Sequence, residues 1–255
     1  MEYLLLIIAA GVVFYLYQSL KEYLKNPIEP RSKKEKAEKL EYDLKEDPYY
    51  VTPKTQEEQF GATELGVCLA ICAKTPNRAR MQEGYDVLMD HLLEQYFSNN
   101  PLEEKYKDLA KQACGKEDTR GLIALAKEFL TLSYAEYKKR LKFVEFLLLL
   151  GYLDGVLDNE EKEYLLDVAA NLELDNQDFN ALYDAYAEKF AKEIPALPDF
   201  ESEEAKLLAL QTRVRGSNSN FLDVKSRDFL SLAYDCAQIC KTPIQESNSS
   251  LDNPA

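Results

Sequence analysis

The side chains with the clearest potential for chemistry are three carboxylates in the segment DGVLDNEE, which begins at Asp154. Asp154, Asp158 and Glu161 are close enough in sequence to share a divalent cation, and carboxylate oxygens are preferred ligands of calcium and magnesium. The segment does not follow the EF-hand pattern. That pattern needs an oxygen ligand at the third position and a glutamate at the twelfth, where this sequence has Val156 and Leu165. We therefore predict at most a weak cation site at these three residues.

The same carboxylates also have a purely structural explanation. Asp158 followed by Glu161 is the Asp-x-x-Glu form of a capping box, in which both side chains accept hydrogen bonds from backbone N–H groups at the start of a helix. Negative charge is favoured at that end by the helix dipole as well. Helix capping explains these residues without an ion, so we favour it over a metal site. No other cofactor is predicted.

The cysteines provide a second candidate site, because four of the five form two Cys-x-x-x-Cys pairs. Cys68 pairs with Cys72, Cys236 pairs with Cys240, and Lys-Thr-Pro follows soon after each pair. Four thiolates could bind zinc, but zinc motifs usually have shorter spacers, and a cysteine on an apolar helix face is ordinarily a core residue. We predict reduced core thiols in a reducing compartment.

Other catalytic residue types are scarce. His91 is the only histidine, and no phosphate-binding loop, nucleotide fingerprint, nucleophile elbow or paired His-Glu metal motif occurs. An enzyme would have to work with carboxylates and tyrosines alone, so we predict a non-enzymatic protein with no catalytic residue. The formal net charge of -14 would repel a phosphate backbone, so nucleic acid is not an expected partner.

Residues 142–190 have the hydrophobic pattern of three helices joined by two acidic turns. The segment Phe143–Leu153 is apolar at almost every position, which is typical of a buried central helix. The helices that follow Asp158 and Asp175 each have an apolar face. These faces contain Tyr164, Leu165, Val168, Ala169 and Leu172 in the first helix, and Phe179, Leu182, Tyr183, Tyr186 and Phe190 in the second. We predict an all-α fold, because no alternating strand pattern is present.

Four further helices are predicted before the central one, at residues 58–74, 80–97, 101–113 and 118–132. Asp118 is the predicted N-cap of the last of these, and Ser133 is the predicted N-cap of the central helix. We therefore expect a bundle of about seven helices at residues 57–194. Short C-terminal helices are predicted at residues 195–244, with a Gly-Ser-Asn-Ser-Asn linker between them. A disordered polar tail is predicted at residues 245–255.

Residues 1–20 are the most apolar stretch, with Glu2, Gln18 and Ser19 as their only clearly polar side chains. About 20 apolar residues span the hydrocarbon core of a bilayer, and no basic segment or small-x-small site indicates a cleaved signal peptide. We predict a single-pass anchor in the cytoplasmic (inner) membrane. Seven Lys or Arg residues follow at residues 21–39 and none precedes it. The N-terminus is therefore expected outside and the body in the cytoplasm. Residues 21–56 are predicted to be a charged juxtamembrane linker.

These features together resemble the N-terminal part of DjlA-type membrane-anchored co-chaperones, which is an all-helical TerB-like (tellurite-resistance type) domain. The likeness is best at residues 151–179. Elements of the family pattern fall there on Asp154, Gly155, Glu161, Ala170, Leu172, Leu174 and Phe179. In the family this motif occurs twice by internal duplication. Here the first copy falls at residues 74–83, where Thr75-Pro76-Asn77-Arg78 replaces the Asp-Gly turn and weakens any metal site built from both copies.

The resemblance implies a chaperone-related interaction module that recruits protein partners, among them chaperone machinery, or forms a homodimer at the membrane. An alternative is a TerB-type stress-response module that binds a cation through Asp154, Asp158 and Glu161. DjlA-type proteins end in a J-domain, whose His-Pro-Asp triplet stimulates a chaperone partner. This sequence has no such triplet, since Leu92 follows His91, so that mechanism is not expected of this polypeptide.

Overall fold

A computed structural model describes residues 12–22, 52–218, 220–223, 225 and 229–245. The chain divides into two compact units, Met1–Pro53 and Lys54–Ala255. In the first unit, residues 12–22 form helix α1. The described part of the second unit contains ten α-helices and no extended strand, so the prediction of an all-α fold is confirmed for the residues that can be described.

The helices of the second unit have the following bounds. They are α2 (Gln56–Gly61), α3 (Glu64–Ala73), α4 (Gln82–Asn99), α5 (Lys107–Gly115), α6 (Leu122–Leu132), α7 (Tyr137–Gly151), α8 (Asn159–Asn171), α9 (Asn176–Phe190), α10 (Glu203–Arg215) and α11 (Phe229–Lys241). Short 3₁₀ helices at Arg78–Met81 and Pro101–Tyr106 precede α4 and α5. A single parallel bridge joins Phe200 to Ile244 within the described segments.

Helix α1 has large apolar side chains exposed around its circumference. They are Val12, Val13, Phe14, Tyr15, Leu16, Tyr17 and Leu20. Among the residues described, no helix has both the length and the apolar character that a membrane crossing requires. Residues 1–11 of the predicted anchor, residues 23–51 of the predicted linker and residues 246–255 of the predicted tail lie outside the described residues. The anchor, the linker and the tail therefore stay predictions.

The centre of the second unit is formed by α7, as the apolar run predicts. Every residue of α7 from Phe143 to Gly151 except Glu145 is buried, and α8, α9 and α11 pack against it. Helix α3 is a second buried helix, with each residue from Leu65 to Ala73 removed from solvent. Helices α5 and α6 pack against α3. Two buried helices, each covered by others, therefore organise the core.

The helix predicted at residues 58–74 is divided in the structure, which gives eight α-helices from α2 to α9 where about seven were predicted. The break lies at Thr63, whose side chain caps the N-terminus of α3 by accepting a bond from the N–H of Gly66 at 3.1 Å. A Cβ atom at Gly66 would overlap the carbonyl oxygen of Phe60. Glycine at this position therefore allows the end of α2 to pass directly over the first turn of α3.

Two of the predicted helix starts are wrong. Helix α6 begins at Leu122 instead of following Asp118, whose carboxylate accepts bonds from the backbone and side chain of Arg120 at 2.7–3.1 Å. Ser133 does not begin the central helix but stands at the C-cap of α6. Two residues with left-handed backbone, Tyr134 and Ala135, follow it, and α7 begins only at Tyr137.

The C-terminal helices belong to the same core as the predicted bundle. Helix α10 packs on α4 and α11, and α11 packs on α7. The ring of Phe221, directly after the segment predicted to be a linker, is fully buried, with ring centroids 5.0 Å from Phe143 and 4.6 Å from Phe146. The expected division near residue 195 is therefore not the end of the hydrophobic core.

Basic side chains satisfy the carbonyl groups at the ends of several helices. The guanidinium of Arg78 donates to carbonyl oxygens at the ends of both α3 and α5 at 3.2 Å. Arg140 donates to the carbonyls of Leu172 and Glu173, directly after α8, at 2.9 Å, and Lys206 donates to the end of α11 at 2.8 Å. Positive charge is favourable at these ends because the helix dipole is negative there.

The substitution Phe221→Ala is expected to lower the free energy of unfolding by about 3–5 kcal/mol, because it leaves a cavity between two rings of α7. Denaturant unfolding followed by circular dichroism measures this change. Leu102→Ala is the control, since Leu102 is 88% exposed, and its effect is expected to stay within about 0.5 kcal/mol. Equal effects of the two substitutions would mean that Phe221 does not belong to the hydrophobic core.

Candidate functional site

The three predicted carboxylates lie in and after the turn between α7 and α8, which we call the acidic corner (Asp154, Asp158 and Glu161). The turn reverses at Gly155, which has a left-handed backbone with φ of 77°. Asp154 stabilises it by accepting a hydrogen bond from the N–H of Val156 at 3.0 Å. Short local interactions therefore hold the first carboxylate of the acidic corner in place.

The capping box predicted at the start of α8 is confirmed. Oδ1 of Asp158 accepts a bond from the N–H of Glu161, and Oε2 of Glu161 accepts one from the N–H of Asp158, both at 2.9 Å. The side chain of Glu161 is only 6% exposed. One oxygen of each carboxylate is therefore used by the helix terminus, and the other is directed elsewhere.

The remaining oxygens meet the guanidinium of Arg80, a residue that sequence analysis did not single out. Nη2 of Arg80 lies 2.9 Å from Oε1 of Glu161 and 3.2 Å from Oδ2 of Asp158, and Nε lies 3.6 Å from Oδ2 of Asp154. The amide of Asn77 also donates to Oδ2 of Asp158 at 2.6 Å. The three carboxylates thus converge on one cation, and that cation is an arginine of the same chain.

Arg80 and Asp158 each lie three residues after a residue with a left-handed backbone. Asn77, between α3 and α4, has a left-handed backbone with φ of 53°, as Gly155 has between α7 and α8. Asparagine is one of the few residues that tolerate this conformation. Arg80 follows Asn77 by three residues, as Asp158 follows Gly155. The relation between Arg80 and Asp158 therefore depends on the left-handed backbone of Asn77, which only the structure shows.

The electrostatics of the acidic corner reflect a largely buried acid beside an arginine. Burial raises the pKa of Glu161, as does the nearby charge of Asp158, while the Asp158 N–H and Arg80 lower it, with a net upward shift. Partial desolvation acts to lower the pKa of Arg80, but its hydrogen bond to Glu161 and the three carboxylate charges raise it overall. The arginine is therefore permanently charged, and it offsets part of the cost of burying Glu161.

A metal ion does not fit among these carboxylates while Arg80 is in place. An ion at their point of convergence would occupy the space of the guanidinium and would be repelled by its charge. No group of three or more His, Cys, Asp or Glu side chains with metal-binding geometry occurs in the part of the chain that the structure describes. In this conformation the acidic corner has the geometry of an internal ion-pair network instead of a metal centre.

Residues from the C-terminal part of the chain also lie close to Gly155, in the turn that carries Asp154. A Cβ atom at Gly155 would lie 2.8 Å from Nζ of Lys241 and 2.9 Å from Cδ1 of Ile194. The left-handed backbone favours glycine at this position, and a larger residue would also have to displace the flexible ends of these two side chains. Lys241 ends α11, so the corner contacts a helix that the predicted division at residue 195 would have placed outside the bundle.

The other predicted candidates are the cysteines and His91. All five cysteines are free thiols, and four of them are buried, with Cys240 half-buried. Burial raises the pKa of Cys114 to about 12 and that of Cys240 to about 11, so these thiols are protonated and unreactive at neutral pH. His91 is buried on α4 beside a cavity of about 60 Å³ that reaches α10, and burial lowers its pKa.

Comparison with known families identifies the region that contains this corner. Residues 77–184, somewhat under half of the chain, match the family described as tellurite resistance protein TerB. A TerB domain is therefore found at residues 77–184; it begins at Asn77 and includes both Arg80 and the acidic corner. No curated protein and no solved structure matches the chain. The DjlA-type features of the resemblance stay predictions.

The substitution Arg80→Ala is expected to lower the free energy of unfolding at neutral pH by about 1–2 kcal/mol. This is the low end for bonds between charged groups, because the Arg80 side chain is 45% exposed. Denaturant unfolding followed by circular dichroism measures the loss. In the background of Glu161→Gln, which keeps the capping box but removes the charge, the loss caused by Arg80→Ala should be clearly smaller.

The same variants should show how the stability depends on pH. Because the folded-state pKa of Glu161 is raised above 4.5, this group's favourable contribution is complete below about pH 4.5 and is lost as pH rises through the raised value. Arg80→Ala removes an interaction that lowers this pKa, so the loss should become larger and extend to higher pH. A difference between wild type and Arg80→Ala that is the same at every pH would contradict the assignment.

Proposed function

We propose that the protein is a non-enzymatic interaction module of TerB type that is held at the cytoplasmic membrane and needs no bound cation to keep its shape. The observation that carries this proposal is the position of the Arg80 guanidinium, at the point where the three carboxylates of the acidic corner converge. Arg80 ties the turn before α4 to the start of α8. The positive charge among the three carboxylates is thereby supplied by the chain itself.

Two features support the membrane part of the proposal. The apolar side chains of α1 are exposed on all sides, and burying each large one in lipid would be favourable by about 1.5–3 kcal/mol. The seven basic residues at 21–39 favour a cytoplasmic location for the body by the positive-inside rule. We propose a single-pass anchor with its N-terminus outside.

The interaction part of the proposal rests on the TerB domain, together with the resemblance to DjlA-type co-chaperones. Apart from α1, several large apolar side chains are exposed, among them Leu102, Ile123 and Tyr134. Single exposed apolar residues are common on soluble proteins, but here they occur on a chain with a formal net charge of -14. We propose that the module recruits protein partners, chaperone components among them.

A second candidate function is cation binding at the acidic corner. The observation in its favour is the convergence itself, because three carboxylates around one point is an arrangement that a divalent ion uses. In this alternative the Arg80 side chain, which is partly exposed, swings out and an ion takes its place. The two functions differ in whether the wild-type fold responds to divalent ions.

Thermal unfolding of the full chain in a mild detergent, with chelator and then with calcium, magnesium, manganese or zinc, separates these functions. The wild-type Tm is expected to be the same in all conditions, because Arg80 already neutralises the carboxylates. Arg80→Ala should have a lower Tm, and a divalent ion should raise it by occupying the vacated position. Arg78→Ala is the matched control. It removes an arginine that contacts backbone carbonyls, so ions should not restore its stability.

A wild-type Tm that rises with one of these ions would contradict the proposed function and favour the cation-binding alternative. An equal recovery of the Tm of Arg80→Ala and of Arg78→Ala on adding an ion would also count against the proposed function. In that case the ion would be acting on the chain in general and not at the acidic corner.

Membranes that contain the full chain test anchoring and recruitment together. The chain is expected to stay in the membrane pellet after an alkaline wash, and deletion of residues 1–20 should release it. Crosslinking of the washed membranes should trap the same protein partners in chelator and in added cation. Release of the full chain by the wash would contradict the anchor, and a chain that crosslinks to no other protein would contradict recruitment.

A further inference from the structure

Helix α10 has an apolar groove on the side that faces away from the core. Its inner side chains, Leu210 and Val214, are buried against the rest of the unit. On the opposite side Leu208 is 64% exposed. The groove has a volume of about 610 Å³ and is lined by Ala205, Leu208, Ala209, Thr212, Arg213 and Gly216. Leu208 thus lies beside small apolar residues, where a packing partner would remove it from water.

The shape of this groove suits another helix. Apart from Leu208 and Arg213, the lining residues are small, so a second helix can approach α10 closely. Leu208 then projects beside the small residues and can fill the corresponding groove of a helix with the same pattern. The surface is therefore complementary to a copy of itself.

The charges at the two ends of α10 restrict what the occupant can be. The first turn carries Glu203 and Glu204, and the last turn carries Arg213 and Arg215. A complementary helix must place basic groups against the first turn and acidic groups against the last. Helix α10 itself, when it runs antiparallel, has this order of charges. We propose that a second copy of this chain docks here, through an antiparallel pair of α10 helices related by a two-fold axis.

The register of this pair follows from helix geometry. Glu204 and Arg215 are eleven residues apart, which is about three turns at 3.6 residues per turn, so both lie on the same flank of α10. A two-fold axis near Ala209 brings Glu204 of each copy opposite Arg215 of the other. The ion pair therefore forms twice. The same axis brings the Leu208 side chains of the two copies within about one helical turn of each other.

The ion pairs within one chain do not prevent Glu204 and Arg215 from pairing with a second copy. Arg215 lies 3.7 Å from Glu94 on α4, but both side chains are more than half exposed, and such pairs contribute little. Arg215 can therefore reach a second carboxylate. Glu204 forms no ion pair with any other residue that the structure describes. A helix of 13 residues is about 20 Å long, so this interface is at the small end of the range and association should be weak and concentration-dependent.

Analytical ultracentrifugation of the full chain in a mild detergent tests the proposal. The wild type is expected to pass from monomer to dimer at concentrations up to about 0.5 mM. Leu208→Glu should weaken dimerisation by at least about tenfold, because it places two like charges in the apolar groove. Leu102→Glu is the matched control, since it adds the same charge at another exposed leucine, and it should leave the dimer unchanged. Circular dichroism checks that both variants are folded.

Charge exchange tests the antiparallel register. Glu204→Arg and Arg215→Glu should each weaken the dimer about tenfold, because like charges then face each other twice, and the double variant should restore it. A wild type that stays monomeric, a dimer insensitive to Leu208→Glu, equal sensitivity to Leu102→Glu, or a failure of the double variant to restore association would each overturn the proposal.

Discussion

The fold depends on the need to cover two helices that have almost no polar surface. In helix α7 every residue from Phe143 to Gly151 is buried except Glu145. In helix α3 every residue from Leu65 to Ala73 is buried. Removing a large apolar side chain from water is favourable by about 1.5–3 kcal/mol, so neither helix can remain at the surface. The remaining helices are arranged around these two. The C-terminal segment is needed as well, because Phe221 and α11 cover a side of α7 that the preceding helices do not cover.

The acidic corner is a consequence of this arrangement. Each buried helix is followed by a turn that contains a left-handed residue: Asn77 lies four residues beyond the end of α3, and Gly155 lies four residues beyond the end of α7. The polar groups of these turns must be satisfied close to the core, where an unpaired charge is costly. The capping box satisfies the N–H groups of α8, and Arg80 satisfies the carboxylates that form the box. The residues of the acidic corner therefore also join the start of α8 to the turn before α4, through Arg80.

Features that depend on residues close together in the sequence were predicted correctly, and features that depend on residues far apart in the sequence were not. The capping box at Asp158 and the central helix were predicted correctly, since both depend on neighbours within a few residues. Asp175 likewise caps α9, through the N–H of Gln177. The predicted cap at Asp118 was wrong because its carboxylate is bound by Arg120, which also donates to the carbonyl of Gly61, 59 residues away.

The features that prediction missed share a dependence on contacts distant in sequence. Phe221 directly follows a polar stretch that has the composition of a linker, and only the packing of two α7 rings around it shows that it belongs to the core. Arg80 is 81 residues from Glu161, its closest partner. The three carboxylates could be identified as a cluster from spacing alone. The cation that neutralises them could not, because its position depends on how the fold brings the turn before α4 to the start of α8.

The source of the positive charge among the three carboxylates determines how the acidic corner can behave. An ion held by carboxylates stabilises a fold by an amount that rises with its concentration, so such a site can sense the ion. An arginine of the same chain is present at a fixed effective concentration and cannot be removed by a chelator. Under the proposed function, the ion pairs of Arg80 with the three carboxylates connect the turn before α4 to the start of α8 without an ion, so this connection would not respond to ion concentration.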